Sequence, residues 1–364
     1  MAALVLLALL ALRSTTAGEP SERLAGTAAP KPSVIRFGVP AVGIGGRPIV
    51  GGSFLSTTHI QGLLEQEFKS DGIRVEWNFF KGAGPAVNEA LAGGLLDFTS
   101  LGDLPAFIGR SAGLKTRLIL TTGSRGNVYL AVPVGSPART LEDLKGKRLV
   151  VHKGTATQLI MSRILAQRGF SESDFRIINL DSVASLPALL SGDIDGLWSG
   201  LTLLEHEDAG RVRVIFDSRT DTGRDGKAEI ASQGTILVTE NFATRHPDLV
   251  QRVVNVLVKT ADWNSDEANR ETLFTLWERS GVAAATYRRS YRGVPLALRQ
   301  SPLMDGFFLA SLAAGAQAAL DLKHIRAPVA IDGWIDRSFL DRALAELKLE
   351  KRWTAYDAQG APAP

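Results

Sequence analysis

Residues 148–167 read RLVVHKGTATQLIMSRILAQ. The first four suit a strand, and residues 158–167 suit a helix. Between them, His152-Lys153-Gly154-Thr155-Ala156-Thr157 is a short glycine-containing turn. A strand that enters a helix through such a turn is the repeating unit of an α/β sheet. The unit recurs upstream. Residues 34–39 (VIRFGV) alternate like a strand, and 56–69 carry helical apolar spacing at Ile60, Leu63, Leu64 and Phe68. Residues 73–80 (IRVEWNFF) form a second strand. Lys81-Gly82-Ala83-Gly84-Pro85 then opens a helix to about Ala92, with Pro85 suited to its first turn. Residues 95–100 form a third strand. This rhythm predicts a mostly parallel sheet with helices on both faces.

Downstream the rhythm repeats. Strands are expected at 117–122, 129–134, 148–151, 175–179, 194–198 and 212–216, with a short helix and turn at 141–146 and helices at 158–167 and 185–191. Beyond a strand at 234–239 the chain is helical, at 249–263, 267–279, 302–319 and 337–347. Two α/β lobes are therefore expected, hinged by crossovers near 123–126 and 230–233. The first lobe comprises 33–123 and 231–350, the second 124–230, and 351–364 form a tail.

Composition narrows the function. The chain has 364 residues, 45% of them apolar and 22% charged, which is ordinary for a folded two-lobed protein. A net charge of +3 without a dense basic stripe excludes a nucleic-acid partner. Tyr287-Arg288-Arg289 through Arg292 is the densest basic group and reads as a solvated face, as do Glu205 and His206-Glu207-Asp208. There is no cysteine, so a thiol nucleophile, a disulfide framework, a thiolate metal site and a lipoprotein anchor are all excluded. None of the five histidines has metal-ligand spacing; no metal or cofactor is expected. Ala2 to Leu12 is an uninterrupted apolar run, too short to span a bilayer. With Thr15-Thr16-Ala17 behind it, it reads as a signal peptide over 1–17, followed by a flexible leader over 18–32. The expected location is the periplasm.

Ligands of open α/β sheets sit beyond the carboxyl ends of the strands. The residues there are Gly46 and Arg47, Gly82 and Gly84, Gly102 and Asp103, Thr155 and Thr157, and Trp198 and Ser199. Several are small residues at helix starts, where free N–H groups receive an oxyanion. Arg47 and Lys81 favour an anion, and Trp198 would wall its organic part. Gly43 to Gly46 fits neither a dinucleotide nor a P-loop motif. No serine elbow or serine–histidine–acid grouping is evident, so no enzyme is expected.

Four segments, taken together, resemble a known family. They are Leu91-Ala-Gly-Gly-Leu-Leu-Asp-Phe-Thr-Ser-Leu-Gly-Asp-Leu-Pro105, Thr140-Leu-Glu-Asp-Leu-Lys-Gly-Lys-Arg-Leu-Val-Val-His-Lys-Gly-Thr155, Leu189-Leu-Ser-Gly-Asp-Ile-Asp-Gly-Leu-Trp198 and Asn241-Phe-Ala-Thr-Arg-His-Pro247. In this order they resemble the periplasmic substrate-binding proteins of ABC transporters for aliphatic sulfonates, taurine and nitrate. The resemblance covers about residues 34–265. It implies the two-lobed type II binding-protein fold, a small organic anion such as an aliphatic sulfonate, an ABC permease as partner, and a monomer. It also implies that Gly84, Gly102, Asp103, Thr155, Thr157 and Trp198 face the cleft. The glycine-rich loop 43–52 is longer than is usual in that family. The alternative is an enzyme on the same fold acting on a pyrimidine or menaquinone precursor.

Overall fold

The computed structural model describes residues 30–222 and 229–363. The expected signal peptide and most of the leader lie outside them. No helix among the described residues is long and apolar enough to cross a membrane.

Among the described residues, ten strands form two five-stranded sheets. The first contains β1 (Val34–Val39), β2 (Arg74–Phe79), β3 (Phe98–Gly102), β4 (Thr116–Gly126) and β10 (Ser232–Thr239), in the order β2-β1-β3-β10-β4. The second contains β5 (Tyr129–Pro133), β6 (Arg148–Val151), β7 (Arg176–Asn179), β8 (Gly196–Ser199) and β9 (Val212–Asp217), in the order β7-β6-β8-β5-β9. The two orders are the same pattern. In each sheet a single strand runs against its neighbours: β10 is antiparallel to β3 and β4, and β5 is antiparallel to β8 and β9. These are the two strands that arrive directly from the other sheet. The chain passes from β4 to β5 through residues 127–128 and returns between β9 and β10.

Helices cover the first sheet early in the chain: α1 (Phe54–Gln61), α2 (Leu63–Phe68), α3 (Ala83–Ala92) and α4 (Asp103–Ser111). The second sheet carries α5 (Ala156–Gln167), α6 (Ser182–Ser191), α7 (Thr202–Asp208) and α8 (Ser218–Asp221). The helical end of the chain supplies α9 (Glu240–Arg245), α10 (Pro247–Ser265), α11 (Arg270–Trp277), α12 (Ala284–Ser290), α13 (Leu296–Arg299), α14 (Gly306–Asp321) and α15 (Ser338–Leu347). The expected single helix over 56–69 is two. Gly62 takes the left-handed conformation (φ 65°), caps α1 and restarts the chain as α2. β4 extends through 123–126, where a crossover was expected. Residues 351–363, expected as a tail, are anchored by Trp353, which is buried and donates from Nε1 to Ser265 Oγ at 2.8 Å.

Alternation explains the second sheet. Leu130, Val132, Leu149, Val151 and Trp198 point to one apolar layer, and Tyr129, Ala131, Val150 and Leu197 to the other. In the first sheet Phe37 stacks on Trp77 and Phe98 at centroid distances of 4.7 and 4.8 Å. Each sheet also uses the same clamp at its amino end. Arg36 on β1 donates to Asp97 through its backbone N–H, Nε and Nη2 (2.9, 3.1 and 2.9 Å). Arg148 on β6 does the same to Asp195 (2.8, 3.1 and 3.0 Å). The forked pairing holds the Asp195 carboxyl below the usual carboxylate range. Asp97 lies just before β3 and Asp195 just before β8, so the clamps tie β1 to β3 and β6 to β8.

Phe37 is fully buried at the centre of the aromatic stack. Phe37→Ala is expected to cost about 3–5 kcal/mol, read from urea unfolding, because the cavity cannot collapse against a sheet.

Candidate functional site

The carboxyl ends of β2 and β3 meet that of β6 through small residues. A Cβ on Gly102 would stand 2.7 Å from Ala156 Cβ, at the start of α5. A Cβ on Gly154 would stand 2.9 Å from Pro85 Cγ, and one on Gly84 would overlap Pro105. Glycine at 102 and 154 lets the backbones of the two lobes approach closely, while glycine at 84 lets α3 close on α4 within the first lobe. Lys81 reaches to 4.0 Å of Asp181, the N-cap of α6, across the same boundary.

Helix starts converge here. Thr155 occupies the N-cap position of α5, but its hydroxyl donates to His152 O at 2.7 Å and leaves the helix uncapped. Among the described residues, the N–H groups of Ala156 and Thr157 and that of Gly84 meet no protein acceptor. Asp103 is the first residue of α4 and is buried; its Oδ1 accepts from Leu104 N at 2.8 Å and its Oδ2 from Gln233 N at 3.4 Å. Burial pushes its carboxyl up to about 6, against the pull of Arg163 on α5. Asp103 stands at the boundary between the lobes, near Arg163.

Beside this junction lies a cavity of about 190 Å³, at the carboxyl ends of β1 and β3. Ser53, Ser56, His59, Trp77, Ser100 and Gly51 line it. Ser53 caps α1, accepting from Ser56 N at 3.2 Å. The Trp77 ring stacks on Phe37, and its Nε1 donates to Glu65 at 2.9 Å, which leaves an apolar face for the cavity. Burial, with Arg279 nearby, pulls His59 below its ordinary value, and its Nδ1 is buried without a partner. A buried polar network fixes this wall. Trp277 Nε1 donates to Thr57 Oγ1 at 3.0 Å, and Gln300 Nε2 to Gly52 O at 3.2 Å and to Tyr291 OH at 2.8 Å. A Cβ on Gly51 would overlap the Tyr287 hydroxyl and stand 2.9 Å from Trp277 Cβ.

The structure thus brings Gly84, Gly102, Asp103, Thr155 and Thr157 to one junction. Gly46 and Arg47 are exposed on the β1–α1 loop, with Arg47 near Gly281. Gly82 is the exposed N-cap of α3, and Ser199 ends β8. Trp198 is buried in the core of the second sheet, 5.7 Å from Phe216, and the indole that lines the cavity is that of Trp77 instead. Ser53, Ser56, His59, Trp77 and Ser100 were not anticipated. Ser53, a serine in the N-cap position ahead of the helix at 54–61, was the available signal.

Other ties cross the lobes. Glu207 and Asp208 of α7, expected as a solvated face, both bind Arg289 of α12, from the basic group read the same way. The structure also gathers a serine, a histidine and an acid that the sequence does not pair: Ser162 Oγ is 3.0 Å from His324 Nε2 and donates to Glu172 at 2.6 Å. Glu172 lies 3.8 Å from that same Nε2 and does not orient the other ring nitrogen. Ser162 is buried, so the grouping is an interlobe tie without the geometry of a nucleophile. Among the described residues, no three or more histidine, aspartate or glutamate side chains gather as a metal site would require.

Two equivalent sheets, each completed by a strand from the other and facing carboxyl end to carboxyl end, define a two-lobed type II binding-protein fold. A family model described as NMT1/THI5 like matches residues 63–268, and the chain belongs to that family. A Bacillus subtilis (strain 168) protein described as aliphatic sulfonates-binding is 30% identical over 210 residues, 57% of this chain and 60% of its own length. The 2'-hydroxybiphenyl-2-sulfinate desulfinase of Rhodococcus erythropolis is 30% identical over 156 residues, 43% of this chain and 40% of its own length. The chain therefore spans well under two thirds of these relatives. Among solved structures, the periplasmic sulfonate-binding protein SsuA of Methylobacillus flagellatus KT matches with a TM-score of 0.74 at 29% identity, over 88% of this chain and 97% of that one. The resemblance drawn from the four sequence segments is borne out.

Asp103 generates a pH prediction. Its carboxyl is raised from 3.8 to about 6, so the native state holds a proton that the unfolded state releases across that window. Its contribution to stability is present below pH 4 and lost as pH rises through 6. Asp103→Asn is expected to raise the melting temperature at pH 7.5, through a gain of up to about 3 kcal/mol. The gain should disappear at pH 4; a constant difference across pH 4–8 would contradict the assignment.

Proposed function

We propose that this chain is the solute-binding component of an ABC importer, which captures a small organic anion between its lobes on the periplasmic side and presents it to a membrane permease. The lobes are 33–123 with 231–350, and 124–230. The sulfonate-binding relatives support an aliphatic sulfonate as the ligand. The observation that carries the reading is the junction itself. Unsatisfied N–H groups of Gly84, Ala156 and Thr157 come from opposite lobes, beside a small cavity lined by serine hydroxyls and the Trp77 indole. A sulfonate has three acceptor oxygens and no donor, so it suits N–H and hydroxyl donors without needing a formal cation. Its alkyl part would lie against Trp77. A ligand that contacts both lobes favours the closed arrangement by its differential affinity for it.

The desulfinase relative favours a second reading, an enzyme acting on an aryl sulfinate. The absence of cysteine limits such chemistry to other nucleophiles, and the buried Ser162 is not placed for it.

Thermal-shift and calorimetric titration with C1–C6 alkanesulfonates, taurine, nitrate and sulfate separates these. A sulfonate at about 100 times its Kd is expected to stabilise by roughly 2.7 kcal/mol, a shift of several degrees. Ser100→Leu, which fills the cavity, is expected to weaken sulfonate binding at least tenfold with little change in melting temperature. Sulfite release from an aryl sulfinate, without sulfonate binding, would decide for the enzyme.

A further inference from the structure

A second cavity, of about 710 Å³, lies where the chain passes between the lobes. Four arginines line it: Arg125 at the end of β4, Arg163 on α5, Arg219 at the start of α8 and Arg299 at the end of α13. Glu229 is the acid in its lining. Leu298 and Phe307 supply apolar wall.

The arginines are incompletely paired. Arg125 Nη1 binds Glu229 at 3.2 Å and its guanidinium lies 4.1 Å from the Phe307 ring, yet its Nε and Nη2 are buried with no partner. Arg219 donates to Ser290 O at 3.1 Å and stands 3.9 Å from Asp217. Arg299 reaches Asn127 Oδ1 only at 3.5 Å. Arg163 has no hydrogen bond or ion pair among the described residues, and burial pulls its guanidinium below its ordinary value, partly offset by Asp103. Arginine keeps its charge at any physiological pH. Both lobes contribute, since Arg163 and Arg219 follow strands of the second sheet while Arg299 belongs to the helices that pack on the first.

We propose that this cavity is a second anion site, separate from the strand-end junction, that takes a dianionic oxyanion of phosphate or sulfate chemistry, free or carried on a small apolar body. Planar guanidinium groups hold tetrahedral oxyanions through paired N–H donors. The volume and the Leu298–Phe307 wall leave room for an organic group beyond the oxyanion. Because both lobes contribute arginines, an occupant bridges them.

The test is calorimetric titration of the protein with inorganic phosphate, inorganic sulfate and phenyl phosphate at constant ionic strength, with sodium chloride as the control. Saturable binding is expected for the dianions and none for chloride. Tighter binding of phenyl phosphate than of phosphate identifies the organic form; the reverse identifies the free ion. Arg163→Met and Arg299→Met are each expected to weaken dianion binding at least tenfold while leaving alkanesulfonate affinity unchanged. Circular-dichroism melting checks that each variant is folded; should one not fold, the other and Arg163→Lys carry the comparison. Absence of saturable binding, an equal response to chloride, or unchanged dianion affinity in both methionine variants would overturn the proposal. So would parallel loss of sulfonate binding, which would make the two sites one. Failure of the protein to bind any sulfonate, with dianion binding intact and arginine-dependent, would overturn the transport reading and leave this site standing.

Discussion

Each sheet is completed by a strand that comes from the other. β10 sits between β3 and β4 only after the chain has built the whole second sheet, and β5 sits between β8 and β9 only after the first sheet has sent it across. Neither lobe can close its core without the crossovers, and the crossovers therefore lie beside the sheets rather than in a free linker. This constraint sets the position of everything else. It points both sets of carboxyl ends at one another, places the helix starts of α3, α4 and α5 at one junction, and leaves the arginine-lined cavity where the strands change sheets.

The rest of the architecture holds those ends in place. The Arg36–Asp97 and Arg148–Asp195 clamps lock the amino ends of the two sheets in matching fashion. With that pole fixed, adjustment is left to the opposite pole. There the contacts are of a different kind: glycine against proline or alanine, a buried Asp103 near Arg163, an Arg289 fork on α7, and a His324–Ser162 contact. The Arg289 pairs are partly exposed and contribute little each. They suit an interface that opens and closes better than one that is permanent.

The cavity beside β1 owes its shape to residues more than two hundred positions away. α1 is pinned by Trp277, and the loop before it by Gln300, Tyr287 and Tyr291, all from the returning helices. The C-terminal helices are thus a support for the binding wall as well as a cover for the first sheet.

What the sequence alone determined was local and periodic. Strand–turn–helix units, the helical C-terminal part, the absence of thiol chemistry and the family resemblance follow from residue type, alternation and spacing within windows of ten to twenty residues. The glycines of 84, 102 and 154 were also legible as strand-end residues. Tertiary structure decided the rest, because it depends on distances between segments that no local pattern encodes. Trp198 sits at a strand end, but the alternation of β8 turns it into the core, while Trp77, on an ordinary-looking strand, faces the cavity. Gly62 splits a helix whose apolar spacing is continuous. Glu207 and Arg289, each a plausible solvated charge in its own helix, become partners only when the lobes meet. The four arginines of the second cavity are scattered from 125 to 299 and form a group only because two strands exchange sheets at that point.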